Sequence, residues 1–190
     1  MNYEDLVKII IEENRTVLDR VNSAELERLL TEIEKAKTIQ LYGMGRMALS
    51  MRGFAMRLKH MGFDTYVVYD TTTPAIGKGD LLLDVCAVTN VELNVIKCAK
   101  EAGATIGLLT AHPENEHGKL ADFTVRISGQ IFGGALEVKS VQPMASLLEQ
   151  SMFLFTDIVT MMLIERNHVD IQEMHKRHTN LEGIAAAFAS

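Results

Sequence analysis

Residues 80–88, DLLLDVCAV, form a near-continuous apolar run. Nine residues are short for a buried helix and suit a strand covered on both faces, as strands of a parallel sheet between helices are. The rest of the chain alternates accordingly. Leu6, Ile9, Ile10, Val17 and Val21 recur at helical spacing, Asn22-Ser23 interrupts, and Ser23 is the expected N-cap of a second helix using Leu26, Leu29, Leu30 and Ile33. Strands are expected at 38–42, 65–69, 80–88, 105–110 and 123–127. A helix starts near Arg46, with Met47, Met51, Phe54, Ala55 and Leu58 along one stripe and Gly62 closing it. Further helices are expected at 91–102 and, shorter, at 116–121. Pro143 suits a first helical position, a long helix spans 145–166, and a last one covers 171–178. The pattern is a single doubly wound α/β domain, a five-stranded parallel sheet flanked by helices. Residues 1–36 are the lead helices, 37–182 the core and 183–190 a small, apolar tail.

Length and charge bound the function. The 190 residues suit one well-cored domain, and a formal net charge of −6 leaves no basic field to hold a nucleic acid. Cys86 and Cys98 cannot make a disulfide framework, and the N-terminus breaks its apolar run with charge at once, unlike a signal peptide. The apolar stretch 151–164 carries Asp157 and is shorter than the roughly 20 residues of a membrane span. A cytoplasmic protein without membrane attachment is expected. The 145–166 helix is apolar almost all round, so its second face is expected to pack on another subunit, in a homodimer or homotetramer.

In open parallel sheets ligands sit beyond the carboxyl ends of the strands, near helix N-termini. Three segments end there: Gly43-Met44-Gly45-Arg46, Asp70 to Pro74, and Cys86 to Asn90. The first offers two small residues and a cation at a helix start. It lacks the third glycine of the dinucleotide fingerprint, since position 48 is Ala, and no G-K-[ST] phosphate loop occurs. No nicotinamide site is expected.

The chain resembles the sugar isomerase (SIS) domain family, in its 6-phospho-3-hexuloisomerase branch. The resemblance rests on Gly43-Met44-Gly45-Arg46, Phe54 to Leu58 with Gly62-Phe63, Thr73 to Asp80, Leu120-Ala121-Asp122, Gln142-Pro143-Met144, Glu149, Lys176-Arg177-His178 and Asn180-Leu181-Glu182, in family order. It implies a five-stranded parallel sheet in an oligomer with sites at subunit boundaries, and no cofactor or metal. It also implies interconversion of a 3-ketohexose 6-phosphate with fructose 6-phosphate through an enediol. That chemistry needs a base over the carbon, a group to move the hydroxyl proton and a phosphate anchor. By similarity Glu149 is the base, and His178, reaching in from a neighbouring subunit, handles the second proton. Substrate contacts are expected from Gly43, Gly45, Arg46, Met47, Thr73, Cys86, Val88, Thr89 and Asn90.

The cradle departs from the family pattern. Met47 stands where the family has serine, and Cys86-Ala87-Val88-Thr89-Asn90-Val91 stands where it reads Ser-Gly-Ser-Gly-Glu-Thr. Each hydrogen bond lost to a charged group costs about 1.5–3 kcal/mol. The ligand is therefore a sugar phosphate held differently, or a related small acid. An alternative is a SIS-type module that binds a phosphosugar without turnover; retained Glu149 and His178 favour the enzyme.

Other residues carry plainer expectations. Asp84 inside an apolar strand needs a partner from a neighbouring loop or another subunit. Arg46 has Asp70 as a structural alternative to substrate. Cys86 is expected to be a buried small hydrophobe rather than an activated thiol, and Cys98 a core residue. His112 and His117, with Glu114 and Glu116, read as an exposed turn with at most an adventitious metal site; His175 and His178 read as a solvated helix end.

Overall fold

A computed structural model of the chain describes residues 1–87 and 93–181. Glu182 and the tail 183–190 therefore lie outside the described residues.

Two helices lead, α1 (Tyr3–Leu18) and α2 (Ser23–Lys35). Asn2 and Asp5 close a reciprocal capping box on α1. The cap of α2 is Asn22, whose side chain accepts from the amides of Ala24 and Glu25, and Ser23 is the first helical residue. The amide side chain one position earlier takes the role expected of Ser23.

The sheet then alternates with helices: β1 (Ile39–Gly43), α3 (Gly45–Met61), β2 (Thr65–Val67), β3 (Leu81–Val85), α4 (Leu93–Glu101), β4 (Thr105–Thr110), α5 (Glu116–Leu120) and β5 (Phe123–Arg126). All neighbours pair in parallel, in the order β2-β1-β3-β4-β5. Because β2 lies on one side of β1 and β3 on the other, the strand order reverses between β1 and β3, which is where such sheets open a crevice. β3 stops at Val85, so Cys86 and Ala87 of the expected strand lie beyond it, and Val88 lies outside the described residues.

Each sheet face has its own core. Leu81, Leu83 and Val85 pack with α1, α2, α3 and the long helix α6 (Ser146–Arg166), while Leu82 packs with Tyr42, Ile96 and Ile106 under α4 and α5. Strand alternation therefore places Asp84 on the α4–α5 side. Cys98 is exposed, on the outer side of α4, because Ile96 and Ala99 supply that short helix's buried stripe.

α6 is long and apolar enough to cross a membrane by composition, yet half of that stretch is buried inside the fold. It packs on α3 and α1 and leaves Phe153, Leu154, Ile158 and Met161 exposed. The last helix, α7 (Ile171–Lys176), is capped by Asp170. Pro143 lies two residues ahead of Ala145, the N-cap of α6, and so precedes the helix rather than starting it.

A polar network ties α1 to the entry of α6. Glu13 accepts from the Ser140 hydroxyl, the Val141 amide and the Gln142 side chain. Gln142 accepts from Gln150, which accepts from Asn14, and Asn14 also accepts from Ser151. The carboxylate and amides fix residues 140–142, which lead into the site.

Candidate active site

A cavity of about 640 Å³ opens beside the reversal point of the sheet. Its walls come from the turn after β1, the end of β3, the loop before α6 and the first turn of α6. The turn depends on Gly45, which begins α3 at φ +57°, a conformation that L side chains avoid. This bend delivers Arg46 to the cavity and Met47 into its wall, where Met47 is buried. Gly43 does not line the cavity; a Cβ there would meet Met47, Ala48 and Met51 at 3.4 Å, so it lets α3 sit close to β1.

Glu149, in the first turn of α6, meets Arg46 across the cavity. Arg46 Nη1 donates to Glu149 Oε2 at 2.6 Å and to Ser146 Oγ at 3.2 Å. The carboxylate side chain is only 17% exposed, whereas Arg46 is 58% exposed. The expected alternative for Arg46 is not what the fold makes: Asp70 is bound by Arg52, at 2.8 Å. Met144 lines the same rim with φ +56°, a left-handed backbone without glycine to relieve it.

Beneath the cavity lies a polar pair that the sequence marked on one side only. Asp84 Oδ2 and His117 Nδ1 are 2.7 Å apart, and both side chains are almost wholly buried. Asp84 thus finds its partner within the chain. His117 is a buried α5 residue, not part of an exposed turn. Burial opposes its charge, but hydrogen bonds to Asp84 and Cys86 prevail and push its pKa up to about 10. Burial also lifts Asp84 above the usual carboxylate range, against the pull of His117. The proton of the pair stays on the imidazole, the group that two neighbours stabilise in its charged form. Cys86 is buried, lines the cavity and hydrogen-bonds this ring.

A second cavity of about 790 Å³ adjoins the first, sharing Ala87, Ile131 and Phe132. There His112 joins Glu137 at 2.7 Å and Glu114 at 3.0 Å. Among the described residues no group of three His, Cys, Asp or Glu side chains is arranged to hold a metal ion.

The fold thus brings Gly45, Arg46, Met47, Cys86 and Glu149 together. Val88, Thr89 and Asn90 lie outside the described residues. Thr73 is elsewhere: its hydroxyl donates to the Val67 carbonyl at 2.6 Å, and it lines a separate groove with Tyr69 and Asn94. His178 stands with its ring 5.1 Å from His60, near the far end of α3. Arg46 and His60 are fourteen residues apart on that helix, about 21 Å at 1.5 Å per residue. Within one chain His178 and Glu149 are therefore at opposite ends of α3.

No family model matches the chain. It is 33% identical over 188 residues to the 3-hexulose-6-phosphate isomerase of Bacillus subtilis, covering 96% of this chain and all of that one. The chain belongs to the 3-hexulose-6-phosphate isomerase family. The enzyme of that name from Mycobacterium gastri is 36% identical over 166 residues, covering 86% of this chain and 83% of that one. A solved Methanococcus jannaschii structure, from which a 3-hexulose-6-phosphate isomerase function was inferred, superposes with a TM-score of 0.81 at 32% identity. It covers 93% of this chain and 99% of that one.

Proposed function

We propose that this chain is a cytoplasmic, cofactor-independent isomerase that interconverts a 3-ketohexose 6-phosphate and fructose 6-phosphate. The observation that carries the reading is Glu149, a mostly buried carboxylate on the wall of a cavity of sugar-phosphate size, held by Arg46. Glu149 removes the proton from the carbon beside the ketone and returns it to the adjacent carbon through an enediol. A base placed this way contributes about 10²- to 10⁴-fold. Arg46 is the cation nearest this carboxylate, and a phosphate drawn to it weakens the ion pair and frees Glu149 for the carbon acid. The hydroxyl proton is assigned to His178 of a second copy, since this chain's own His178 lies at the other end of α3. The same requirement makes the active form a homodimer or homotetramer. Residues 37–182 act as one catalytic core, with α1 bracing residues 140–142.

The test is deuterium incorporation at carbon 3 of fructose 6-phosphate in heavy water. Wild type incorporates label, and Glu149→Gln slows incorporation about 10²- to 10⁴-fold while leaving the melting temperature near its original value. Equal incorporation in both proteins removes Glu149 from the mechanism. Melting that shifts with fructose 6-phosphate, with no incorporation in wild type, assigns the chain to phosphosugar sensing.

A further inference from the structure

Proton transfer by Glu149 makes no use of the Cys86 sulfur, His117 or Asp84, although all three line the cavity. Asp84 lies in β3 and Cys86 is the first residue after it, and both reach the ring of His117 on α5. α5 lays His117 over them, with Nδ1 on Asp84 Oδ2 and the thiol of Cys86 bonded to the same ring. Gly118 lets α5 fold back against the loop ahead of it, since a Cβ there would collide with the Pro113 carbonyl. The other Asp84 oxygen, Oδ1, is buried without a hydrogen-bond partner, and the carboxylate's charge is met by His117 first and the Val85 amide second.

We propose that Cys86 is a covalent-modification site for small uncharged electrophiles, with His117 as the cationic partner of its sulfur and Asp84 as the group that orients the ring. A thiol buried among apolar atoms alone is inert, because nothing offsets the negative charge that develops on sulfur. Here that charge meets an imidazolium, an arrangement that activates nucleophilic cysteines generally. The raised pKa of His117 keeps the ring charged throughout the neutral range. Met47, Ile131, Phe132 and Met144 give the cavity apolar walls, along which an uncharged reagent passes without desolvating a charge. With iodoacetamide the sulfur forms a bond to the methylene carbon as the carbon–iodine bond breaks. Iodide leaves with the electron pair, and the thiol proton passes to solvent. The adduct occupies space inside the cavity. That it also blocks turnover rests on the phosphosugar reading, whereas the alkylation does not.

Cys98 is exposed and serves as an internal reference. The folded protein is treated with iodoacetamide at neutral pH, and labelling of the two cysteines is followed by peptide mass spectrometry. Cys86 is expected to react at least tenfold faster than Cys98 despite its burial. His117→Asn reverses that order. Because His117→Asn strands Asp84, the double variant Asp84→Leu/His117→Leu, which removes both polar partners, is measured beside it with circular dichroism as the check on folding. Slower reaction of Cys86 than of Cys98 in wild type overturns the proposal, as does an unchanged ratio in the folded double variant. Since the readout is labelling, its failure leaves the exchange experiment on Glu149 untouched, and the converse holds.

Discussion

Gly45 and Met144 adopt the same left-handed backbone at two edges of one cavity, with φ of +57° and +56°. The first position is glycine, so the turn that launches α3 and presents Arg46 forms without strain. A Cβ at position 45 would meet nothing within 4 Å, so the effect of adding one is purely conformational. Gly45→Ala is expected to destabilise the fold by about 1–2 kcal/mol. For a chain of this size that lowers the melting temperature by about 2–8 °C in thermal denaturation. Deuterium incorporation should fall further than stability does, because a relaxed turn moves Arg46 away from Glu149. An unchanged melting temperature would mean that the helix starts equally well without the bend. Met144 has no such relief and holds its strain beside the reacting groups. The residues ahead of it are pinned by Glu13 and Gln150, which is how the fold sustains the conformation.

The segment between β5 and α6 is held by a latch of side chains. Glu137 accepts from the amides of Ile131 and Gly133 and from His112. Burial alone would push His112 down, but hydrogen bonds to Glu137 and Glu114 outweigh it and hold its pKa above the ordinary 6.5. Burial would likewise raise Glu137, yet the Ile131 amide, His112 and the Gly133 amide bring it below the ordinary 4.5. A raised histidine stabilises the fold fully below its unfolded pKa and loses that contribution as pH rises through the folded one. A lowered carboxylate contributes above its unfolded pKa and loses that as pH falls through the folded one. The latch is therefore tightest between about pH 4.5 and 6.5. Hydrogen exchange at the Gly133 amide, corrected for intrinsic rate, is expected to gain protection loss as pH climbs above 6.5, and His112→Gln should flatten that dependence. A pH-independent opening in wild type would show that His112 does not hold the loop. Elements of this kind also mark the limit of what the sequence discloses. Strands and long helices announce themselves through apolar period, and Thr105–Thr110 forms at its expected limits. α5 has five residues, too few to show a period, so its His117 looked like part of a turn. Asp84 was conspicuous in an apolar strand, but its partner lies 33 residues on, and only the packing of α5 on the sheet brings them together. Arg46 and Glu149 were both visible, while their 2.6 Å contact, across 103 positions, follows from α3 and α6 lying side by side. Thr73 lies away from the cavity because its hydroxyl, in the loop after β2, instead satisfies a nearby backbone carbonyl, that of Val67.

At the scale of the whole molecule, the unfinished surface is the outer stripe of α6. Phe153, Leu154, Ile158 and Met161 recur at helical spacing on the side away from the core, and Met161 is 70% exposed. Leu49 and Met56, exposed on the neighbouring α3, extend the patch. Contiguous apolar surface of this kind on a folded chain favours association, and thioether and aromatic side chains adapt to a partner of their own kind. Asp157 lies within the stripe, so the packed form must seat one carboxylate per copy at or near the contact. A second acid beside it adds like-charge repulsion and desolvation to both copies at once. On the proposed homo-oligomer, Met161→Glu is therefore expected to run as a 21.1 kDa monomer in light-scattering chromatography where wild type runs larger, without loss of helix content. If His178 reaches the site only from a second copy, deuterium incorporation falls with the loss of association. Mixing Met161→Glu with excess wild type should then restore none of the variant's own activity. A monomeric Met161→Glu protein with full incorporation would place both proton-transfer groups within one chain, and an oligomer that persists would move the interface off α6.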